Sequence, residues 1–501
     1  MKQVDTLLCD LPLCPDSQAN AKLIQAVFKQ CSDWSYRNIK KDDGDFYLFY
    51  FVTIVDLERI EREIIVFLES EYAASYLVDQ LPIANLTTYQ TYRKVVDAIN
   101  HGQIILLAPN QTLAYGFTFD QAPKRSIMEP NTEMVIRGPR ESFIEHIATN
   151  LGLLRQKLQT EKLKTIPYFL GEYTRTKVVI AYLEDICELS LIEEVKLRLS
   201  RIKIDSILES GYIEEWIEDN PFSPFPQMQN TERPDVVAAL LLEGRVAIFV
   251  DGTPFVLLAP INLFGALASP EDYYERYLIA TMVRWLRFIF AVVSLTLPSL
   301  YVAITTFHPD FLPIPLLISI AAARENTPLP AAVEAFFMEI TFEALREAGV
   351  RLPKAIGQAV SIVGALVIGQ AAVQAGIISA PMVIIVSITG IASFTIPRFN
   401  FAIALRMLRF PIILLSGALG IFGLILGILA ILIHLCGLRS FGVPYLMPIA
   451  PFHFSGMKDT FVRAPRWAMM RRPEQTSKKN RYRQTSSGTP EARLPTGNHH
   501  E

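Results

Sequence analysis

The sequence predicts an α/β (α+β) cytoplasmic region of two similar subdomains followed by an all-α polytopic membrane domain. Three observations lead there. Charge divides by position: residues 1–283 carry 27 Lys+Arg against 40 Asp+Glu, while 284–501 carry 20 against 10. The chain's formal net charge of -3 thus hides an acidic front and a basic rear. Beyond residue 284, long runs lack all four charged residue types, as membrane helices do. In the front portion, a strand, helix and hairpin pattern occurs twice.

Composition agrees. The 501 residues are 51% hydrophobic and 19% charged, where soluble proteins have about 25% charged residues. Mean hydropathy is +0.28. A disordered chain is excluded. So is a disulfide scaffold, because Cys9, Cys14, Cys31, Cys187 and Cys436 show no paired spacing.

The first residues, MKQVDTLLCDLPLCPD, lack a basic segment followed by a long apolar run, so the front portion is expected in the cytoplasm. Residues 1–45 read as an N-terminal extension. Subdomain 1 is assigned to 46–136. The run FYLFYFVTIV at 46–55 predicts a strand and 56–71 a helix, and strands at 103–108 and 112–119 form a hairpin. Residues 137–173 read as a connecting helical segment with a Gly-Pro start. Subdomain 2 is assigned to 174–283, with a strand at 177–183, a helix at 184–208 and a hairpin of 245–250 with 253–258. Asp251 and Gly252 form its turn, since Asp-Gly suits a type I′ turn in which both central residues have positive φ. VVDA before Gly102 and VVAA before Gly244 mark the internal repeat; chance similarity of two amphipathic passages is the alternative.

The membrane domain is assigned to 284–438. Spans are expected at 288–307, 357–378, 380–397 and 411–437, with short or re-entrant helices at 311–323 and 331–349. Residues 439–501 hold 11 Lys+Arg against 4 Asp+Glu and form a basic cytoplasmic tail, expected to be disordered after about 472. With both ends inside, the crossings are even in number. Arg398, Arg406 and Arg409 conflict with this, because they precede the last span and also favour the cytoplasm.

No nucleotide, metalloprotease or hydrolase signature is present, so an enzyme is not expected, and neither a cofactor, a metal site nor nucleic-acid binding is indicated. The carboxylates Glu334, Glu339, Glu343 and Glu347 stand out in a region with few charges. On a helix the last three share a stripe and Glu334 is offset. Acidic stripes at membrane depth attract cations when subunits assemble around an axis; an interfacial helix whose acids face water or pair with Arg346 and Arg351 is the alternative. A second stripe, Gln358, Ser361, Ala365, Gly369, Ala372 and Gly376, is small or polar throughout. It suits close helix packing or the lining of a water-filled conduit, gated by the bulkier Ile362 and Val373.

Four passages resemble the GerA-type spore germination proteins, the A subunits of germinant receptors: 137–155 (RGPRESFIEHIATNLGLLR), 219–277, 334–353 (EAFFMEITFEALREAGVRLP) and 440–452 (SFGVPYLMPIAPF). The resemblance extends from about residue 45 to about residue 470. It implies a protein of the spore inner membrane that works with a transporter-like B subunit and a lipoprotein C subunit. It further implies a homo-oligomeric ring, a pentamer, acting as a ligand-gated channel for monovalent cations. A non-conducting scaffold and a secondary transporter are the alternatives; a transporter is expected to show repeated membrane halves.

Overall fold

The computed structural model describes residues 11–484 apart from 43, 70–82, 84, 120–129, 131–132, 352–366, 474–475 and 478. It forms two compact units. One comprises Met1–Glu218, Met228–Pro260 and Arg466–Glu501; the other comprises Asp219–Gln227 and Ile261–Pro465.

The first unit contains two five-stranded sheets. In chain order the first half has α1 (Ser17–Val27), β1 (Trp34–Ile39) and β2 (Phe46–Phe51). Helix α2 follows, running from Leu57–Arg59 through π-helical Ile60–Ile65 to Val66–Glu69, then β3 (Thr87–Tyr89), α3 (Tyr92–Asn100), β4 (Ile104–Leu107) and β5 (Ala114–Phe117). The second half has α4 (Ile147–Lys157), β6 (Leu163–Leu170), β7 (Thr176–Leu183), α5 (Leu189–Arg201), α6 (Ser210–Ile217), β8 (Gln229–Thr231), α7 (Pro234–Leu241), β9 (Val246–Val250) and β10 (Val256–Ala259). Strand orders are β1-β2-β4-β5-β3 and β6-β7-β9-β10-β8, so the two sheets share one topology. All neighbouring strands are antiparallel.

Burial on both faces explains the unbroken apolar run of β2. Phe46, Leu48 and Tyr50 pack with Ile60, Ile64 and Leu68 of α2, whereas Tyr47, Phe49 and Phe51 pack with Ile24 of α1 and Val95 and Ile99 of α3. Alternate residues of a strand point to opposite faces, and here each face meets a helix. In the second sheet Val179, Ala181, Phe249 and Leu258 pack with Leu151 and Leu154 of α4 and Val237 and Leu241 of α7.

Several details differ from the sequence reading. Residues 11–45 are not an appendage: α1 and β1 complete the first core and sheet. Within 137–173, the helix is confined to Ile147–Lys157 and β6 belongs to the second sheet. Asn150 holds the preceding loop extended, its Nδ2 donating to the Ile144 carbonyl at 2.6 Å and its Oδ1 accepting from the Ile144 N–H at 2.8 Å. The helix expected at 184–208 is α5, only Leu189–Arg201, followed by a separate α6. The hairpin at Asp251-Gly252 forms, but not as a type I′ turn. Only Gly252 has positive φ (92°) and the β9–β10 loop is longer. Asp251 instead accepts the Ile147 N–H at 3.1 Å, satisfying a free donor at the start of α4.

The tail also differs from expectation beyond 472. Arg472 Nε donates to the Leu242 carbonyl at 2.9 Å, Thr476 Oγ1 to the Glu243 carbonyl, and Arg483 pairs with Glu243 at 2.7 Å. Two backbone carbonyls and the Glu243 carboxylate of the turn after α7 hold these residues. Residues 485–501 lie outside the described residues.

The second unit is mainly helical: α8 (Leu263–Leu267), α9 (Tyr277–Phe307), α10 (Ile314–Arg324), α11 (Ala331–Arg351), α12 (Ala380–Phe394), α13 (Phe399–Leu419) and α14 (Ile421–Gly437). Among the described residues, α9 and α13 are long and apolar enough to cross a membrane. The span expected at 411–437 is two helices. Pro411 lies inside α13, and the chain breaks at Gly420, whose φ of 62° and ψ of -141° suit glycine alone. A side chain there would strike Phe307 and His308 at the end of α9. The expected 331–349 segment is the 21-residue α11, and 311–323 corresponds to the 11-residue α10.

Candidate functional site

Helix α11 packs against α9, α12 and α13, and these neighbours decide the fate of its carboxylates. Glu334 is 0% exposed. Its Oε2 accepts the backbone N–H of Ser379 at 3.0 Å and the Ser379 hydroxyl at 2.7 Å, and Oε1 lies 3.4 Å from Arg324 Nη2. Ser379 is the N-cap residue of α12. The carboxylate therefore sits at the positive end of that helix, where unpaired N–H groups and the helix dipole favour an anion.

Glu339 and Glu343 face α13. Glu339, 4% exposed, pairs with Nη1 of Arg409, also 4% exposed; Arg409 Nε donates to the Ser294 carbonyl of α9 at 2.7 Å. Glu343 accepts from Arg406 Nη1 at 2.8 Å and lies 3.5 Å from Arg346 Nη1. Arg346 has further anchors on α12, donating to Ser393 Oγ at 2.8 Å and lying 4.6 Å over the Phe394 ring. As the glutamate number rises by four, the arginine number falls by three, so α11 and α13 run antiparallel with one turn matched to one turn. Glu347 is exposed.

These pairs place two of the three arginines that conflicted with a simple topology. Arg406 and Arg409 are buried partners of carboxylates rather than free cytoplasmic markers. Sequence reading missed their role, although Glu at i, i+4 and Arg at i, i+3 on two apolar helices is a complementary pattern. Of the small-residue stripe, Gln358, Ser361, Ile362 and Ala365 lie outside the described residues. Gly369 approaches the Val383 side chain of α12, and Ala372 joins the core formed by Val302, Met338 and Met382. Gly376 is not a helical lining residue: its φ is +66°, and the Ile377 N–H returns to the Ala372 carbonyl at 3.0 Å, a helix-ending turn.

Two of the passages singled out in the sequence meet in this unit. Ser440 Oγ donates to the Gln227 carbonyl at 2.6 Å and accepts the Ile261 N–H at 3.0 Å. Tyr445, 0% exposed, donates to the Pro226 carbonyl at 3.0 Å, and His434 Nε2 lies 2.8 Å from Ser223 Oγ. At the base of α9, Arg284 and Arg287 converge on Asp272 at 3.3 Å and 2.7 Å, and Arg284 also reaches Asp459 at 3.1 Å.

Residues 22–475 match the family described as Bacillus/Clostridium GerA spore germination protein. The chain belongs to the GerA spore germination family. Relatives in Bacillus subtilis (strain 168) include "Uncharacterized membrane protein YfkQ", 49% identical over 478 residues covering 94% of this chain and 93% of that protein. "Spore germination protein KA" is 46% identical over 476 residues, covering 93% and 88% respectively. "Spore germination protein A1" is 40% identical over 446 residues, covering 89% and 92%. A crystal structure of the N-terminal domain of the A subunit of the Bacillus megaterium spore germinant receptor GerK3 aligns with a TM-score of 0.40 at 31% identity, covering 50% of this chain and 97% of that one.

Proposed function

We propose that this chain is the A subunit of a spore germinant receptor and forms an oligomeric, ligand-gated channel for monovalent cations. It crosses the spore inner membrane several times, with the two-sheet unit and the tail in the cytoplasm. It works with a transporter-like B subunit and a lipoprotein C subunit, and the pentameric ring is the assembly in which several copies of α11 surround one axis. Germinant binding shifts the population between closed and conducting arrangements through its differential affinity for them.

The observation that carries this reading is Glu339, an ionisable residue 4% exposed within an apolar helical bundle. Such groups are costly to bury in a membrane domain and mark ion pathways there. A second reading, a non-conducting coupling subunit, is favoured by the arginine pairing of Glu334, Glu339 and Glu343 within one chain. On that reading the carboxylates only hold helices together. The test separating them is K⁺ release from spores carrying Glu339→Gln together with Arg409→Gln, which removes both charges. A channel releases less K⁺ with the complex still assembled; a scaffold releases K⁺ as the parent does.

A further inference from the structure

We propose that Arg406 and Arg409 of α13 are the latch of the acidic helix: paired with Glu343 and Glu339 they keep both carboxylates from cations, and their release admits a monovalent cation there. This inference rests on the channel reading above and specifies which residues control it.

The geometry is that of exchangeable partners. A buried pair whose remaining donors and acceptors are unsatisfied carries a desolvation penalty and is the more easily exchanged. Here Glu339 Oε1, Arg409 Nη2, Arg406 Nε and Arg346 Nε have no hydrogen-bond partner among the described residues. The contacts made are single-pronged: Arg409 uses Nη1 on Glu339 Oε2, and Arg406 uses Nη1 on Glu343 Oε1. The bidentate fork that makes arginine–carboxylate pairs strong is not formed.

Apart from Glu339, each member also has a second contact, Arg406 lying 5.8 Å over the Phe399 ring. Glu343 is shared between Arg406 at 2.8 Å and Arg346 at 3.5 Å. Arg409 holds the Ser294 carbonyl at 2.7 Å, and Arg346 holds Ser393 and the Phe394 ring. A guanidinium that loses its carboxylate therefore keeps a second contact, so the unpaired state is not prohibitively costly. Register adds a cooperative feature. The two pairs lie one turn apart on antiparallel helices, so sliding or tilting α13 against α11 breaks both together. A freed carboxylate and an alkali cation restore neutrality at the same place. No covalent step is involved; one cation replaces another as the counter-charge.

The experiment is K⁺ efflux from proteoliposomes containing the full-length chain with its B and C subunits, with and without germinant. Arg409→Gln and Arg406→Gln are expected to raise germinant-free efflux about tenfold or more, as a latch's loss shifts the closed–open population. The double variant Glu339→Gln/Arg409→Gln frees no carboxylate and leaves no buried charge unpaired; its efflux is expected to be low with and without germinant, because the carboxylate that admits the cation is gone. The exchange Glu339→Arg/Arg409→Glu keeps the pair with its sense reversed; it is expected to stay closed and carries the test if a single variant does not reach the membrane. Three results overturn the latch. The single variants can stay closed while germinant still triggers efflux; the neutral double can leak as much as Arg409→Gln, revealing packing damage; or the exchange can leak. Absence of any germinant-triggered efflux in the parental complex overturns the channel reading and the latch with it.

Discussion

Arg155 joins the two sheets of the first unit, and its replacement gives the most demanding test of that unit. Its Nε and Nη2 grip Asp33 at 2.7 Å and 3.1 Å, Nη2 and Nη1 donate to the carbonyls of Leu163 at 2.8 Å and Thr160 at 3.0 Å, and the guanidinium lies 4.4 Å over Phe51. Arg155 and Asp33 are 2% and 4% exposed. In Arg155→Met the stem is kept, but Asp33 stays buried with the Thr165 hydroxyl, 2.8 Å away, as its remaining side-chain donor among the described residues. Removing one partner of a buried ion pair costs about 3–5 kcal/mol, because the other charge is stranded. For a region of this size that lowers the melting midpoint by roughly 10 °C. Trp34 reports it well, stacked between Phe28 and Phe49 beside Asp33. The assay is thermal unfolding of the detergent-solubilised chain, followed by tryptophan fluorescence. Asp33→Asn added to Arg155→Met is expected to recover part of the loss. A midpoint for Arg155→Met within about 2 °C of the parent refutes the reasoning.

Two further predictions concern the same unit. Burial, with Glu218, Glu209 and Glu215 nearby, pushes the Glu214 carboxyl from its ordinary 4.5 up to about 8. The folded state then holds that proton more tightly than the unfolded one, so this group's contribution is fullest below pH 4.5 and is lost as pH rises through about 8. Midpoints measured from pH 5 to 9 should fall less steeply in Glu214→Gln than in the parent; parallel curves contradict the assignment. Gly244 has φ +82°, and a Cβ there collides with the Thr476 carbonyl, whereas Gly252 at φ +92° has open space around it. Gly244→Ala should therefore expose the 476–484 segment to trypsin, while Gly252→Ala costs only the strain of a left-handed residue, about 1–2 kcal/mol. Equal cleavage rates in the two variants contradict the docked tail.

The repeated strand–helix–hairpin unit was legible because β2, β7 and both hairpins are apolar runs bounded by turn residues. Strands β1 and β6 were not. WSYRNI has five partly or fully exposed positions before Ile39 and carries little apolar signal, and LKTIPYFL contains Pro167. Both are the end strands of their sheets, where a proline is tolerated. The acidic helix was visible, but its partners were not: Arg409 and Arg406 lie 70 and 63 residues from Glu339 and Glu343. Periodicity reads neighbours within a few turns, so it found the carboxylates and left their counter-charges to be read as topology signals. The Gly420 break was hidden for a related reason, since an uncharged apolar run looks the same whether it holds one helix or parts of two.

Cation flux decides whether this chain conducts. The full-length chain, reconstituted with its B and C subunits in sealed liposomes loaded with K⁺, should release K⁺ when germinant is added. Release should exceed that of an anion of similar size and fall when Glu339 and Arg409 are both made glutamine. Sealed vesicles that bind germinant yet hold their K⁺ contradict the account.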